Sequence, residues 1–170
     1  MEIESLKKHL FTGNTRVFCV LDGASVPDLP VRLYKTDETN YCLLPGELTA
    51  DLLYAAPYLV YLKPDGVFTD WVLGEGMGNH WGIFVQSTAS MTEMRKHFRE
   101  LITVFDEKGN PMMFRYYDPR VLRQFLPTST PEELKTFFGR ADVFFAESED
   151  GENLTRFTLG ADGLEQSDLS

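Results

Sequence analysis

The stretch from 81 to 102, WGIFVQSTASMTEMRKHFRELI, joins two kinds of element in one short segment. Its first six residues are almost uninterruptedly apolar, which is typical of a strand buried on both faces. Ser90 and Glu93 then fit a capping box, in which each side chain satisfies a free backbone N–H at the start of a helix. Apolar side chains follow at helical spacing, at Met91, Met94, Phe98, Leu101 and Ile102. A buried strand that leads into an amphipathic helix predicts an α/β fold.

The same alternation of strand-like and helix-like segments extends over most of the chain. Further strands are predicted at residues 16–21, 40–44, 57–62, 103–106, 112–117, 142–147 and 154–159. Further helices are predicted at residues 2–10, 27–35 and 68–73, and after the N-caps at Asp118 and Thr130, which proline follows in both cases. The last residues, through Ser170, are acidic, and we expect them to fray. The order predicts a single mixed α/β domain over residues 1–170, with a mixed sheet flanked by short helices in which parallel crossovers and hairpins both occur.

Charge and cysteine content narrow the class of protein. The net charge of −10 disfavours nucleic acid as a partner, because phosphates repel an acidic surface. Residues 91–140 hold nine basic and seven acidic side chains, so the acidic excess lies towards the two ends. Cys19 and Cys42 have no metal-ligand spacing and no disulfide framework, which predicts reduced core residues. With no signal peptide and no run long enough to enter a membrane, the sequence predicts a soluble cytoplasmic protein without membrane insertion.

A search for catalytic groups gives no catalytic residue, cofactor or metal site. His9, His80 and His97 lack the spacing of metal ligands. We expect His97 to be a partly buried structural histidine, and His80 to be a loop residue that packs on the Trp81 indole. A triad of Ser87, His97 and Asp118 can be written, but it is rejected, since no nucleophile elbow surrounds Ser87 and Asp118 already serves as a helix cap.

Several motifs follow one another between Trp81 and Gly139. They are WGIFVQS, MRKHFREL, FRYYDPRVL, FLP and FFG, and PYLVYL and Trp71 precede them. In this order they resemble the core of the type VI secretion adaptor family, originally described as a domain of unknown function (DUF4123). The resemblance covers about residues 16–147, and a short acidic hairpin or tail, residues 148–170, follows it.

The resemblance implies a function that composition does not show. Members of this family act as non-enzymatic chaperones that hold a cognate effector protein and help to load it onto the VgrG spike, in some cases through a PAAR-domain protein. The expected partners are therefore that effector and VgrG or a PAAR protein. Many members carry a longer C-terminal part, which is short or absent here.

Six side chains are candidates for partner binding. Arg115, Tyr117 and Arg120 belong to the FRYYDPR motif. We expect Arg120 and Arg123 to lie on the next helix and to extend the same patch. Arginine and tyrosine are favoured at binding hot spots. If the motif is a strand, Phe114 and Tyr116 face one side and Arg115 and Tyr117 the other. Trp71 and Trp81 complete the set. The alternative is that Arg115 and Arg120 hold Asp118 or neighbouring loops in place.

A second candidate surface is an adaptable groove or a free sheet edge. Five methionines would suit such a groove, namely Met77, Met91, Met94, Met112 and Met113, although core filling explains most of them. Two other functions stay open. One is an immunity protein that neutralises a toxin, and the other is a small hydrolase in which His80 or His97 meets a carboxylate and a hydroxyl.

Overall fold

A seven-stranded sheet forms the middle layer of the protein, and the computed structural model describes residues 2–169. The strands are β1 (Arg16–Asp22), β2 (Asn40–Cys42), β3 (Pro57–Leu62), β4 (Gly82–Ser87), β5 (Thr103–Phe105), β6 (Pro111–Met113), β7 (Val143–Glu147), β8 (Leu154–Gly160) and β9 (Gly163–Leu169). The helices are α1 (Ile3–Leu10), α2 (Leu29–Thr36), α3 (Ala50–Ala55), α4 (Val67–Gly76), α5 (Met91–Leu101), α6 (Pro119–Thr128) and α7 (Pro131–Phe138). The predicted single mixed α/β domain is confirmed.

Helices cover both faces of the large sheet, whose strand order is β2-β3-β1-β4-β7-β8-β9. Side chains on one face, such as Phe18 and Val20 of β1, pack against α5, α6 and α7. Those on the other face, such as Cys19 and Leu21, pack against α1, α2 and α4. Because β1 is buried on both faces, its residues 17–21 are all apolar rather than alternating with polar ones.

The expected mixture of parallel and antiparallel pairs is wrong. β1 pairs with both β3 and β4 in antiparallel orientation, and the outer pairs of the described sheet follow the same pattern. A continuous apolar run indicates that a strand is buried on both faces. It does not indicate whether its neighbours run parallel or antiparallel to it. Here the burial comes from helices on both sides, so the run carries no information about parallel pairing.

The FRYYDPR motif is not a strand, which corrects a second expectation. β6 ends at Met113, and a turn follows in which the Asp118 N–H donates to the Arg115 carbonyl at 3.0 Å. An extended strand would place Tyr116 and Tyr117 on opposite faces. The turn instead buries both rings, with 0% and 2% of their surfaces exposed. Burying the two aromatic rings stabilises the folded chain more than lengthening the short β5–β6 hairpin would.

The predicted helix starts are confirmed. Ser90 and Glu93 form the capping box of α5, Thr130 and Glu133 form that of α7, and the Asp118 carboxylate accepts the Arg120 N–H at the start of α6. The sequence analysis missed α3, which begins after a Thr49 N-cap and buries none of its side chains. Without an apolar face to bury, α3 lacks the periodicity on which helix prediction depends.

Residues 163–169 form a paired strand, contrary to the expected fraying tail, and Ser170 lies outside the described residues. β9 pairs with β8 from Leu154 opposite Leu169 to Gly160 opposite Gly163. The acidic side chains Glu165 and Asp168 are exposed, whereas Leu164 and Leu169 pack against the two faces of the core. Both cysteines are free thiols; Cys19 is buried in the core, as predicted, whereas Cys42 is only partly buried. Among residues 2–169, no helix combines the length and the apolar character needed to cross a membrane.

Candidate protein-binding surface

Four of the predicted binding residues lie at one end of the large sheet, near three buried carboxylates. These carboxylates are Asp22 at the end of β1, Asp118 before α6 and Glu147 at the end of β7. A hydrogen bond to Asp118 is the main cause that raises the pKa of Arg120, and Glu147 and Asp22 act in the same direction. The sequence analysis placed Arg115 and Arg120 near Asp118, but it did not foresee Asp22 or Glu147.

Each of the three arginines has a partner within the chain. Arg115 forms an ion pair with Asp22, and Arg120 donates from Nε and Nη2 to the two oxygens of Asp118 at 3.0 and 2.8 Å. Arg123 donates to the backbone carbonyl of Glu147. The arginines therefore join α6 and the turn before it to the ends of β1 and β7. The Arg115 and Arg120 side chains remain about half exposed, so they can still contact another molecule.

The remaining candidates lie elsewhere or are buried. Tyr117 is 2% exposed and packs in the same core as α5 to α7. Trp81 is 8% exposed and packs on the opposite face of the sheet, where its ring centroid lies 4.8 Å from that of Trp71. The Arg32 guanidinium covers Trp71 at 4.4 Å from the ring centre. The sheet thus separates the tryptophans from Tyr117 and the arginines.

His80 and His97 each form a hydrogen bond to another part of the fold. His80 was expected to pack on an indole ring, but its Nδ1 pairs with the Glu147 carboxylate, which also accepts the N–H groups of Gly78 and His80 at 2.9 and 3.3 Å. A buried carboxylate needs such donors, and this requirement decides where the His80 ring lies. Among residues 2–169, no hydroxyl is hydrogen-bonded to the Glu147 carboxylate or to His80.

His97 is a partly buried structural histidine, as predicted. Its Nε2 bonds to the Phe137 carbonyl at 2.8 Å, and burial lowers the pKa of its ring below the ordinary value. The rejected triad has no common centre, because the Ser87 hydroxyl donates to the Arg140 carbonyl and Asp118 pairs with Arg120. In the part of the chain that the structure describes, no group of three or more His, Cys, Asp or Glu side chains is arranged to hold a metal ion.

An open apolar groove of about 650 Å³ lies between the β5–β6 hairpin and α6–α7. We call it the hairpin groove. Its apolar lining comprises Leu101, Val104, Phe114, Phe125 and Phe137. Three glutamates, Glu100, Glu132 and Glu133, lie at its rim. Of these, Glu133 is engaged in the α7 capping box through the Thr130 N–H at 2.7 Å.

The hairpin beside the groove exposes several large apolar side chains. Phe105 is 67% exposed, Met112 49% and Met113 51%. The hairpin forms a small sheet of its own, and its turn is held by the Asp106 carboxylate, which accepts the N–H groups of Lys108 and Asn110 at 2.9 and 2.8 Å. These hydrogen bonds fix the turn, and the three apolar side chains lie exposed to solvent on the strands beside it.

The family of the chain follows from comparison with known proteins. The sequence profile of the domain of unknown function DUF4123 matches residues 17–136, about 70% of the 170 residues. The chain belongs to the DUF4123 family. No curated protein and no solved structure matches it.

The DUF4123 match begins within β1 and ends within α7. It therefore contains all six predicted binding residues and the β5–β6 hairpin. Met112 and Met113 are predicted groove candidates, but Phe105, Val104 and Phe125 are not. The turn at residues 107–110 is the available signal, because it predicts a hairpin, and a hairpin at the surface exposes one of its two faces.

Proposed function

We propose that this DUF4123 protein is a non-enzymatic adaptor that binds a segment of a partner protein in the hairpin groove. The observation that carries the proposal is the exposed apolar surface of the β5–β6 hairpin beside an open apolar groove. Exposed apolar surface of this kind, rimmed by charge, is typical of sites that bind other proteins. The partners we propose are a cognate type VI secretion effector and the VgrG spike or a PAAR-domain protein.

The energetics favour an apolar segment as the occupant of the groove. Fully burying one large apolar side chain contributes about 1.5–3 kcal/mol, so covering the exposed part of Phe105 or of Met113 contributes about 1 kcal/mol or more. The floor offers the partly buried Phe114 and Phe125 rings to the same partner, above the buried Phe137 ring. An amphipathic helix that lays its apolar face on such a surface is a recurrent mode of recognition.

The choice of secretion partners rests on the motif series that resembles the type VI adaptors. The FRYYDPR motif serves architecture, since its arginines and aspartate pair within the chain. It positions α6 and thereby one wall of the hairpin groove. In this account the polar side chains of the protein hold the groove in shape, and its apolar surface binds the partner.

Co-purification tests the proposal directly. The chain is co-expressed with an effector and a VgrG protein from neighbouring genes of its genome, and we expect a 1:1 complex with the effector. Combining Phe105→Ser with Met113→Ser is expected to weaken that complex at least about tenfold, a loss of ~1.4 kcal/mol. Val67→Ser is the matched control, because Val67 is 75% exposed on α4, across the sheet from the groove.

Two results would contradict the adaptor proposal. One is that neither effector nor VgrG co-purifies with the chain. The other is that the serine pair binds as tightly as the wild type while both proteins unfold at the same temperature. Turnover of a small molecule that His80→Ala abolishes without loss of folding would instead favour the hydrolase alternative.

An immunity protein is the second candidate, and the exposed acidic side chains of β9 favour it. Glu165 and Asp168 face solvent on the edge strand, where a basic toxin would be attracted. A toxicity assay separates the two functions. Expression of this chain alone rescues cells that produce the toxin if it is an immunity protein, whereas an adaptor stabilises the toxin and leaves it active.

A further inference from the structure

A second pocket, of about 460 Å³, lies beside α5 and adjoins the hairpin groove. Glu100 and Thr103 line both cavities, so one extended segment can cross from one to the other. The apolar lining of the second pocket consists of Leu43, Pro45 and Ile102. We call it the α5 pocket.

Three cations of α5 surround this apolar lining: Arg95, Lys96 and Arg99. Across the described residues, none of the three has a carboxylate within ion-pair distance, whereas Arg115, Arg120 and Arg140 each have one. Glu100 is the one acidic side chain in the lining. The α5 pocket is thus a positively charged site on a protein with a net charge of −10.

The cations are held by the fold and still have donors to offer. Arg99 donates to the Leu43 and Leu44 carbonyls at 3.3 and 3.0 Å, which fixes the wall of the pocket. The Arg95 guanidinium lies 4.4 Å from the centre of the Tyr41 ring, and its Nε is buried with no acceptor among the described residues. Lys96 is exposed. A buried donor without an acceptor is costly and is relieved when a ligand supplies one.

We propose that the α5 pocket binds an acidic side chain of the partner segment, next to an apolar residue that packs on Leu43, Pro45 and Ile102. The occupant is a polypeptide in which Asp or Glu adjoins Leu, Ile or Phe. Charge complementarity selects it, because three cations face one carboxylate in the pocket, while the rim of the hairpin groove holds Glu100, Glu132 and Glu133. The partner segment therefore has an acidic end over α5 and an apolar part in the groove.

This inference rests on the proposed function only where it assigns one partner segment to both cavities. The pocket can be tested by itself with a display library of random peptides selected on the full chain. We expect selected peptides to be enriched in Asp or Glu beside large apolar residues. Their affinity is expected to fall as salt is raised, because ions screen the charge pairs.

Lys96→Glu provides the decisive variant, since Lys96 is exposed and its replacement should leave the fold intact. Binding of a selected acidic peptide is expected to weaken about tenfold or more, the scale of one lost charge pair. Lys8→Glu makes the same charge change at an exposed position of α1, on the other side of the sheet. It is expected to leave binding unchanged. A peptide with Gln in place of Glu is expected to bind Lys96→Glu and wild type equally.

Enrichment of neutral or basic peptides, or unchanged affinity of acidic peptides for Lys96→Glu, would overturn the proposal. The outcomes separate it from the adaptor function. If acidic peptides bind the pocket but no effector or VgrG co-purifies, the pocket stands and the adaptor proposal fails. If the effector binds and Lys96→Glu has no effect on it or on the peptides, the pocket proposal alone fails.

Discussion

Asp118 shows how one residue serves both a helix and a turn. Its carboxylate caps α6 through the Arg120 N–H at 2.9 Å and forms a two-pronged ion pair with the Arg120 guanidinium. Burial acts to raise the pKa of Asp118, but the hydrogen bonds from Arg120 outweigh it, and the pKa lies below its ordinary value. The ionised form of Asp118 therefore stabilises the folded state.

Asp118→Asn isolates this charge, because asparagine caps a helix about as well as aspartate. We expect the variant to lose about 0.5–1 kcal/mol of unfolding free energy at neutral pH, a small value because Arg120 is half exposed. A depressed pKa contributes stability above the ordinary value of 3.8 and loses it as the pH falls through the folded value. The difference between variant and wild type should therefore shrink below about pH 4.

Urea unfolding at a series of pH values measures the Asp118 effect. Asp65→Asn, at an exposed turn position, is the control and should show no such pH dependence. A constant difference between Asp118→Asn and wild type at every pH would show that the charge of Asp118 does not act on stability.

At the scale of elements, capping is where sequence and structure agree best. The α7 capping box joins Thr130 and Glu133 within a single turn, so every contact it needs is visible in four consecutive residues. The FRYYDPR segment differs, because Arg115 pairs with Asp22, 93 positions away. Local pattern cannot report such a contact, and for this reason the segment is predicted as a strand but folds as a turn.

Thr130→Ala tests the contribution of the α7 cap. Removing the hydroxyl leaves the Glu133 N–H without its acceptor, and we expect a loss of about 1 kcal/mol of unfolding free energy. Thr128→Ala is the matched control, because the Thr128 hydroxyl only bonds back to carbonyls of its own helix. Chemical denaturation of both variants measures the difference. Equal stabilities would show that the box does not hold the start of α7.

At the scale of the whole molecule, an aromatic cluster links α6, α7 and β7. The Phe137 ring centroid lies 4.9 Å from that of Phe144, 5.3 Å from Phe125 and 5.8 Å from Tyr116. Composition shows that aromatic residues are abundant, but it does not separate this core from the exposed Phe105. That distinction depends on which elements pack together, which the sequence does not show.

Replacing one phenylalanine in each place separates core from surface. Phe137→Ala is expected to lower the unfolding free energy by about 3–5 kcal/mol, because it leaves a cavity among packed rings. Phe105→Ala removes the same group from an exposed hairpin and should change stability by about 0.5 kcal/mol or less. Urea unfolding compares the two variants. A large loss for Phe105→Ala would mean that the hairpin belongs to the core and is not free to bind a partner.

Only part of the candidate site can be predicted from the sequence, because its contacts join segments that are far apart in the chain. The three arginines are found from the motif and the helix after it, but Asp22 and Glu147, the partners of Arg115 and Arg123, lie on β1 and β7. The hairpin groove forms only when the β5–β6 hairpin packs beside α7, and the α5 pocket only when the loop after β2 meets α5. Surfaces built from distant elements have no signature in a single stretch of sequence.

Hydrogen–deuterium exchange of the chain, alone and with the effector proposed as its partner, shows whether the hairpin groove and the α5 pocket form the binding surface. We expect binding to slow exchange in the β5–β6 hairpin, at the end of α5 and at the start of α7, with little change in α1 and α4. Slowed exchange confined to α1, α2 and α4, or exchange unchanged by an effector that does bind, would contradict it.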